Sequence, residues 1–434
     1  MAREPIYAVI DIGTSKIVSV VARLGPEGEL KPLGMGMAPS LGVQHGVIDD
    51  FSEVQVGIRE CLDECLRYMG RNPVGGMYAV VNGEHLTGFN TSEGLSNGEE
   101  PVTVTDQHLR SLISGAAGTL REQADSKSQQ TLHIIPMRYR LDGIEGVRNP
   151  TGLHTNELRL EAHVVRGTSV PLGNTVRALQ SCKVQVEGLI VHPLASAGGV
   201  LTADEREMGV AVVDIGAGTI KVAVYRDGTP YYSSVIAMGS NQLTRDLAVS
   251  LRVPYQVAEE LKIEHGHALP DDLPPTDEVA LPATQMHQKR VMQRRELCEP
   301  LYLRCLQMLK LVHAELCKAE LTDLPGGIVL TGGGARMRGF AEMTSRGLRT
   351  QVRVAAPIWY AGLPESLRQP EYAAALGSLQ WAVKHRNLTE RGTDRGRVRT
   401  RNDGEKGGWS PGSLFRRPFA RAAAGESRNP KSEG

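Results

Sequence analysis

The 434-residue sequence is poor in aromatic residues, which make up 4% of it, and its formal charge sums to zero. Apolar residues still account for 41%, so we expect a large core built mainly of aliphatic side chains. The balanced charge argues against a protein that binds nucleic acid with its whole surface. The six cysteines include no Cys-x-x-Cys pair, and we therefore expect neither a zinc ribbon nor a redox-active dithiol.

Several familiar sequence signals are missing as well. No apolar run reaches the roughly 18 residues that span a bilayer, and the first residues show no charged segment followed by an apolar one, as a signal peptide would. A cytoplasmic protein is therefore expected. Neither a Walker A motif nor a G-x-G-x-x-G motif with a following acid is present, which excludes the P-loop and Rossmann readings.

The charge is distributed unevenly. Residues 384–434 carry 13 Lys and Arg against 6 Asp and Glu, so the remainder of the chain is acidic. Residues 385–408 are rich in Arg, Gly and Asp and predict a flexible linker. In residues 409–434, large apolar and cationic residues recur at helical spacing, which predicts an amphipathic helix on an anionic membrane. Its proposed membrane contacts are Trp409, Leu414, Phe415, Arg416, Arg417, Phe419 and Arg421. Pro418 would interrupt such a helix, and an unstructured tail is the alternative.

Two helices illustrate the local predictions. Apolar periodicity predicts a helix over 52–69, begun by a capping box of Ser52 and Gln55. A second helix is predicted over 300–321, with Pro300 in its first turn.

A short motif occurs twice in the chain. The sequence Val-Ile-Asp-Ile-Gly at 9–13 recurs as Val-Val-Asp-Ile-Gly at 212–216, a spacing that is too long for a solenoid and indicates a duplicated domain. Each copy predicts a β-hairpin whose glycine turn offers backbone N–H groups to a polyphosphate. The candidate phosphate-binding residues are Gly13, Thr14, Ser15 and Lys16 in the first hairpin, and Gly216, Ala217, Gly218 and Thr219 in the second.

An aspartate precedes each of these turns. Asp11 and Asp214 would both repel a triphosphate unless a cation lay between them. We therefore expect Mg²⁺ at these two carboxylates, held mainly through water. A third turn, Gly332-Gly333-Gly334, follows a strand-like run and would let the backbone approach a base or the α-phosphate closely.

The order of two phosphate hairpins and a third glycine turn resembles the superfamily of actin, chaperone ATPases and sugar kinases. Within it, the sequence is similar to the FtsA family of bacterial cell-division proteins. The segments that carry this likeness are 9–16, 133–136, 146–153, 212–219, 327–333 and 355–357, with Lys262, His265 and Gly266. Ala217 departs from the family, whose turn usually has glycine there.

The resemblance implies an α/β fold: a two-lobed, actin-like ATPase with an inserted small α+β subdomain and a C-terminal tail. The expected lobe 1 core is 1–86 and 166–192, the inserted subdomain 87–165, the lobe 2 core 193–225 and 300–358, the lobe 2 outer subdomain 226–299, the lobe 1 closing helix 359–384, the linker 385–408 and the tail 409–434.

The resemblance also implies ATP and Mg²⁺ as ligands. Glu259 and Lys262 would reach the ribose or adenine, and an exposed ion pair on a helix is the alternative. No catalytic base can be named, and the resemblance implies weak or no ATP hydrolysis, because FtsA-family proteins are often poor ATPases.

The implied partners are the C-terminal peptide of FtsZ, further copies of the chain in a filament, anionic inner-membrane lipid, and other division proteins at the inserted subdomain. For FtsZ the candidate contacts are Arg290, Arg294 and Arg295, with a solvated helix face as the alternative. The expected location is the cytoplasmic face of the inner membrane at the division site. A related pilus-assembly ATP-binding protein and a small-metabolite kinase of the same superfamily remain alternative functions.

Overall fold

Two five-stranded sheets of matching topology organise the chain, whose structure is a computed structural model describing residues 4–69, 76–96, 98, 100–123, 128–282, 290–319, 324–358 and 364–393. The strands are β1 (Ile6–Ile12), β2 (Lys16–Leu24), β3 (Leu30–Pro39), β4 (Val43–Gln44), β5 (Val47–Ile48), β6 (Met77–Val81), β7 (Leu86–Ser96), β8 (Val102–Thr103), β9 (Gln129–Leu141), β10 (Ile144–Val147), β11 (His154–Thr155), β12 (Glu157–Thr168), β13 (Val186–Val191), β14 (Val210–Ile215), β15 (Ile220–Arg226), β16 (Thr229–Ile236), β17 (Glu278–Leu281), β18 (Arg290–Gln293), β19 (Ile328–Thr331) and β20 (Val352–Val354). The α-helices are α1 (Phe51–Met69), α2 (Asp106–Gln123), α3 (Ser169–Ser181), α4 (His192–Val200), α5 (Ala203–Met208), α6 (Asn241–Leu251), α7 (Tyr255–His265), α8 (Arg294–Lys318), α9 (Phe340–Leu348) and α10 (Ala373–Thr393).

The two large sheets repeat one arrangement. Lobe 1 has the strand order β13-β6-β1-β2-β3 and lobe 2 the order β16-β15-β14-β19-β20. In each, an antiparallel hairpin, β1–β2 or β14–β15, pairs in parallel through its first strand with β6 or β19. Both faces of these strands are covered, which explains their nearly continuous apolar sequence. The repeated topology accounts for the sequence motif found twice.

Helices cover each sheet on both faces. Helices α1 and α3 pack on one face of the lobe 1 sheet, and α10 packs on the other. In lobe 2, α6, α7 and α8 pack on one face, and the fully buried α4 packs on the other. Helices α4 and α10 also touch each other, because the backbone of Gly199 lies against that of Ala373 and Gly377. The two lobes are therefore joined through a crossing of two helices.

A smaller subdomain lies between β6 and α3 in the chain. It is a four-stranded antiparallel sheet in the order β10-β9-β12-β7, with α2 packed against it and the short pair β8–β11 beside it. Its own apolar cluster includes Leu112 of α2 and Leu160 of β12.

Two predicted helices differ from the structure in local detail. Helix α1 is capped by Asp50, whose Oδ1 accepts hydrogen bonds from the backbone N–H of Ser52 and Glu53, so the predicted capping box is wrong. Helix α8 begins at Arg294, and Pro300 lies inside it rather than in its first turn. The apolar stripe of α8 already includes Leu297, one turn before the proline, and its burial outweighs the lost hydrogen bond.

The closing helix of lobe 1 continues further along the chain than predicted. Helix α10 extends to Thr393, so 385–393 of the predicted linker is helical, while 394–408 lies outside the described residues. The chain divides into a compact unit of residues 1–385 and a second unit of residues 386–434. Among the described residues, no helix combines the length and apolar character needed to cross a membrane.

Candidate nucleotide-binding site

The two glycine turns have the same backbone geometry. In the first hairpin the N–H of Gly13 donates to the carbonyl of Lys16 at 3.0 Å, and in the second Gly216 donates to Thr219 at 2.9 Å. These bonds close tight turns between β1 and β2 and between β14 and β15. The predicted phosphate-binding residues of each hairpin thus lie together at equivalent places in the two lobes.

The two hairpins meet at their tips. A Cβ added to Gly218 would lie 2.6 Å from Oγ1 of Thr14, so the second turn lies directly against the first. His45 Nδ1 lies 3.0 Å from the Gly218 carbonyl oxygen, and Asn82 Nδ2 donates to Thr219 Oγ1 at 2.8 Å. Side chains of lobe 1 therefore hold the second turn in place.

Sequence reasoning missed His45 and Asn82. A signal for Asn82 was present, because it directly follows the buried apolar strand β6. That strand runs parallel to β1, and the carboxyl ends of parallel strands lie at one sheet edge. For His45, in the short turn between β4 and β5, the sequence offers no comparable signal.

The imidazole of His192, the first residue of α4, lies between the two predicted metal-binding aspartates. Its Nε2 is 3.7 Å from Asp11 Oδ2, and its Nδ1 is 3.6 Å from Asp214 Oδ2. Burial lowers the pKa of His192, and the nearby Lys221 lowers it further against the opposing pull of the two carboxylates. The imidazole is therefore neutral at pH 7, and it does not serve as a cation between them.

Asp214 is held by more partners than Asp11. Burial raises the pKa of Asp214, but the charge of Lys221 and a hydrogen bond from Ser196 outweigh it, so the pKa is lowered and the group is ionised. The Ser196 hydroxyl donates to Asp214 Oδ2 at 2.5 Å. Asp11 differs, because its buried Oδ1 has no hydrogen-bond partner within the part of the chain that the structure describes.

These contacts allow the expected metal to be tested for fit. No group of three or more His, Cys, Asp or Glu side chains among the described residues is arranged to hold a metal ion directly. Mg²⁺ prefers oxygen ligands and retains several waters, so the partner-free Asp11 Oδ1 fits a water of its shell. Asp214 has less to offer, because Ser196 and Lys221 already occupy its oxygens. The metal site remains a prediction that rests mainly on Asp11.

Lys16 of the first hairpin packs its ammonium group on an aromatic ring. Its Nζ lies 3.8 Å from the centroid of the Tyr372 ring, a cation–π contact. Burial lowers the pKa of Lys16, while the carboxylates of Glu371 and Asp11 oppose that shift. Burial therefore leaves the Lys16 ammonium partly desolvated in the first turn, where a phosphate would complete its interactions.

The third glycine turn lies against the second hairpin. Gly332 follows β19 with a φ of +81°, a conformation that favours glycine. A Cβ there would lie 2.5 Å from Asp214 Oδ1, so no larger residue fits. Its N–H donates to the Pro370 carbonyl at 3.1 Å. Gly333 and Gly334 continue the turn as the start of a 3₁₀ helix, and Gly334, like Gly332, lies against Ile215 just before the second phosphate turn.

Glu259 and Lys262 form an ion pair in which Lys262 is buried and Glu259 is partly exposed. The Lys262 ammonium lies 2.6 Å from Glu259 Oε2 and donates to Thr244 Oγ1 at 3.0 Å, and Lys262 is 9% exposed. Thr244 lies in the first turn of α6, which begins at the second hairpin, where Asn241 N–H donates to the Ala217 carbonyl. The pair is thus connected to the phosphate turn, and its contact with the nucleoside stays a prediction.

The three arginines proposed for FtsZ have structural partners. Arg290 donates to the Leu251 carbonyl at 3.0 Å, and Arg294 donates to the His265 carbonyl at 2.8 Å. Arg295 donates through Nε to the Leu273 carbonyl at 2.7 Å. These bonds tie β18 and the start of α8 to the rest of the lobe 2 outer subdomain. The membrane residues predicted at 409–421 lie outside the described residues.

The sequence matches two family models and is similar to proteins from several bacteria. Residues 211–377 match the family model described as "Cell division protein FtsA", and residues 83–166 match "SHS2 domain inserted in FTSA". The Cell division protein FtsA of Escherichia coli (strain K12) is 32% identical over 380 residues, which cover 86% of this chain and 89% of that protein. The chain belongs to the FtsA family. The Bacillus subtilis (strain 168) FtsA protein is 28% identical over 391 residues, or 90% of this chain and 86% of that one.

Solved structures show the fold of this FtsA-family chain. A chain of the PilM–PilN type IV pilus biogenesis complex aligns with a TM-score of 0.62 and 16% identity, covering 87% of this chain and 98% of that one. MreB5 of Spiroplasma citri bound to ADP aligns with a TM-score of 0.50 and 13% identity, covering 89% of this chain and 99% of that one. The predicted two-lobed, actin-like ATPase fold with an inserted subdomain is confirmed.

The inserted subdomain of this FtsA-family chain contacts lobe 2 through a buried histidine. His163 of β12 is fully buried, with Nδ1 2.8 Å from Asn90 Oδ1 and Nε2 2.9 Å from Ser233 Oγ of β16. Arg148 of the subdomain also forms an exposed ion pair with Glu207. Burial lowers the pKa of His163 to about 4. The neutral ring thus bridges the subdomain and lobe 2.

This junction predicts a pH-dependent stability. The folded-state pKa of His163 lies below its ordinary value of 6.5, so the unfolded chain takes up the proton first as pH falls. The free energy of unfolding should be unaffected above pH 6.5 and then fall, by about 2 kcal/mol at pH 5. His163→Gln should lack this component. Urea titrations of both proteins between pH 7 and pH 5 measure it, and parallel losses in the two would contradict the assignment.

Proposed function

We propose that this FtsA-family chain binds ATP with Mg²⁺ between its two lobes and uses the bound nucleotide to favour assembly. The observation that carries the proposal is the contact of the two hairpins, where Gly218 lies against Thr14. A polyphosphate at that point would reach N–H groups of both lobes at once. The similar fold of MreB5, solved with ADP, supports the nucleotide assignment.

Each part of the site would have one task. Gly13, Thr14, Ser15 and Lys16 would bind the β- and γ-phosphates from lobe 1, and residues 216–219 would close on them from lobe 2. Gly332, Gly333 and Gly334 would lie beneath the nucleotide, while Glu259 and Lys262 would contact ribose or adenine. Asp11 would hold Mg²⁺ through water, and Asp214 would contribute less. The bound metal would neutralise charge on the phosphates.

The site supports binding better than hydrolysis. The His192 Nδ1 lies 3.1 Å from Ser196 Oγ, and its ring nitrogens face the carboxylates of Asp214 and Asp11 at 3.6 and 3.7 Å. We therefore do not assign His192 as the base for an attacking water, and we propose weak or no ATPase activity. A ligand that contacts both lobes favours the closed arrangement by its differential affinity.

At the cellular level, we propose that the chain polymerises on the cytoplasmic face of the inner membrane at the division site. There it would bind the C-terminal peptide of FtsZ through the lobe 2 outer subdomain and recruit other division proteins through the inserted subdomain. The basic, aromatic segment 409–434 would be the membrane anchor. Juxtamembrane Lys and Arg contribute about 1 kcal/mol each on anionic lipid, so single copies bind weakly and a filament adds avidity.

A co-sedimentation experiment tests this proposal. Full-length protein with ATP should carry purified FtsZ down with anionic liposomes, whereas a chain ending at Gly408 should leave both proteins in the supernatant. The truncated chain should still bind ATP, which serves as the control for folding. If FtsZ stays in solution with the full-length protein, the tethering function is wrong and the pilus-type and kinase alternatives reopen. If the truncated chain sediments fully, the tail is not the anchor.

A further inference from the structure

Lys221 of β15 is a buried lysine that the proposed site does not yet use. Its residue is 4% exposed, and its Nζ lies 3.5 Å from Asp214 Oδ1. The two residues are cross-strand partners in the second hairpin. An ammonium group in such a place has lost most of its hydration, which is unfavourable unless specific partners replace the water.

The duplicated fold shows what this position needs for packing alone. In the first hairpin the residue paired with Asp11 is Val18, which is as buried as Lys221. An apolar side chain therefore satisfies the packing of this strand in lobe 1. Asp11 has no lysine at its cross-strand position, and the cation that acts on it is Lys16 at the first turn. Strand packing alone therefore does not explain why a charged residue occupies position 221.

The position of the ammonium supplies that explanation. A Cβ added to Gly216 would lie 2.5 Å from Lys221 Nζ, so the charge lies directly against the second phosphate turn. An ammonium has three donors, and Asp214 does not use all of them. The group neutralises the carboxylate that would otherwise repel a polyphosphate at this turn.

We propose that Lys221 is a built-in cation of the nucleotide site, which neutralises Asp214 and interacts with the polyphosphate, so that ATP binding depends only weakly on Mg²⁺. This inference rests on the proposed nucleotide site. Lys221 is here a positioning and affinity residue, and Asp11 keeps its place as the carboxylate free to hold a hydrated metal.

Calorimetric titration of the full chain with ATP tests the inference, in one buffer with Mg²⁺ and one with EDTA. For the natural protein, the Kd in EDTA should exceed that in Mg²⁺ by less than about threefold. Lys221→Met should raise this ratio to about 10- to 100-fold, because a charge-assisted contact is lost and Asp214 is left unneutralised. Lys310→Met, at an exposed lysine of α8, is the matched control and should leave the ratio unchanged.

A second variant covers the case in which Lys221→Met folds poorly. The pair Lys221→Met and Asp214→Asn removes both buried charges, and its ratio should fall below that of Lys221→Met, because Asp214 no longer repels the polyphosphate, but stay above that of the natural protein, because the contact from Lys221 is still missing. A purely structural salt bridge would change stability without changing this ratio. If the natural protein binds ATP in Mg²⁺ but its Kd for ATP rises by more than about 30-fold in EDTA, the inference is overturned while the nucleotide site stands. Absence of binding in both buffers overturns the nucleotide site and the inference together.

Discussion

Replacing Gly377 with alanine is expected to lower the free energy of unfolding by about 3 kcal/mol. Gly377 lies in α10 where that helix crosses α4. A Cβ there would come within 2.0 Å of the Ala195 carbonyl oxygen and 2.4 Å of the Gly199 nitrogen. Both neighbours are backbone atoms of a fully buried helix, so they cannot yield as a flexible side chain would. The helices must separate, which opens voids in the packing between the lobes.

The control is the same substitution where space is free. Gly173 lies in α3, and a Cβ built on it meets nothing within 4 Å. Gly173→Ala should therefore stabilise the protein by about 0.5–1 kcal/mol, the ordinary helix preference for alanine over glycine. Urea unfolding followed by circular dichroism measures both variants. Equal stabilities for the two would show that α4 and α10 do not cross as closely as described.

The fold was largely predictable because its signals are local. Each hairpin carries an Asp and a glycine turn within a few residues, and the repeat of that motif predicts two lobes. The third glycine turn, Gly332–Gly334, was found for the same reason. In each case one short segment contains both the turn and the chemistry.

Contacts made across the fold were not predictable in this way. His45 and Asn82 reach the second hairpin from more than 130 positions away in the chain, and His192 joins two aspartates from different lobes. The guanidinium groups of Arg294 and Arg295, proposed as FtsZ contacts, donate to the carbonyl oxygens of His265, the last residue of α7, and of Leu273, and their contact with FtsZ stays a prediction. Side-chain partners at such distances depend on how strands and helices pack, which periodicity and turn chemistry do not specify.

The contact between the hairpins predicts a large effect on nucleotide affinity. A methyl group at Gly218 would lie 2.6 Å from Thr14 Oγ1, 2.9 Å from its Cγ2 and 3.1 Å from its Cβ. Thr14 is too short to move aside, so Gly218→Ala should push the two turns apart. We expect the Kd for ATP to rise by about 10- to 100-fold, because the N–H groups of one turn then no longer reach the phosphates. Gly173→Ala again serves as the control and should bind ATP normally.

The measurement that tests the central claim is a double-mutant cycle on ATP affinity at this contact. Thr14→Gly removes every side-chain atom that opposes a methyl group at Gly218. We therefore expect that adding Gly218→Ala to the Thr14→Gly protein raises the Kd by less than about threefold, against about 10- to 100-fold in the natural background. Such coupling requires the two lobes to meet around one nucleotide. The same penalty in both backgrounds would contradict a site shared by the two hairpins.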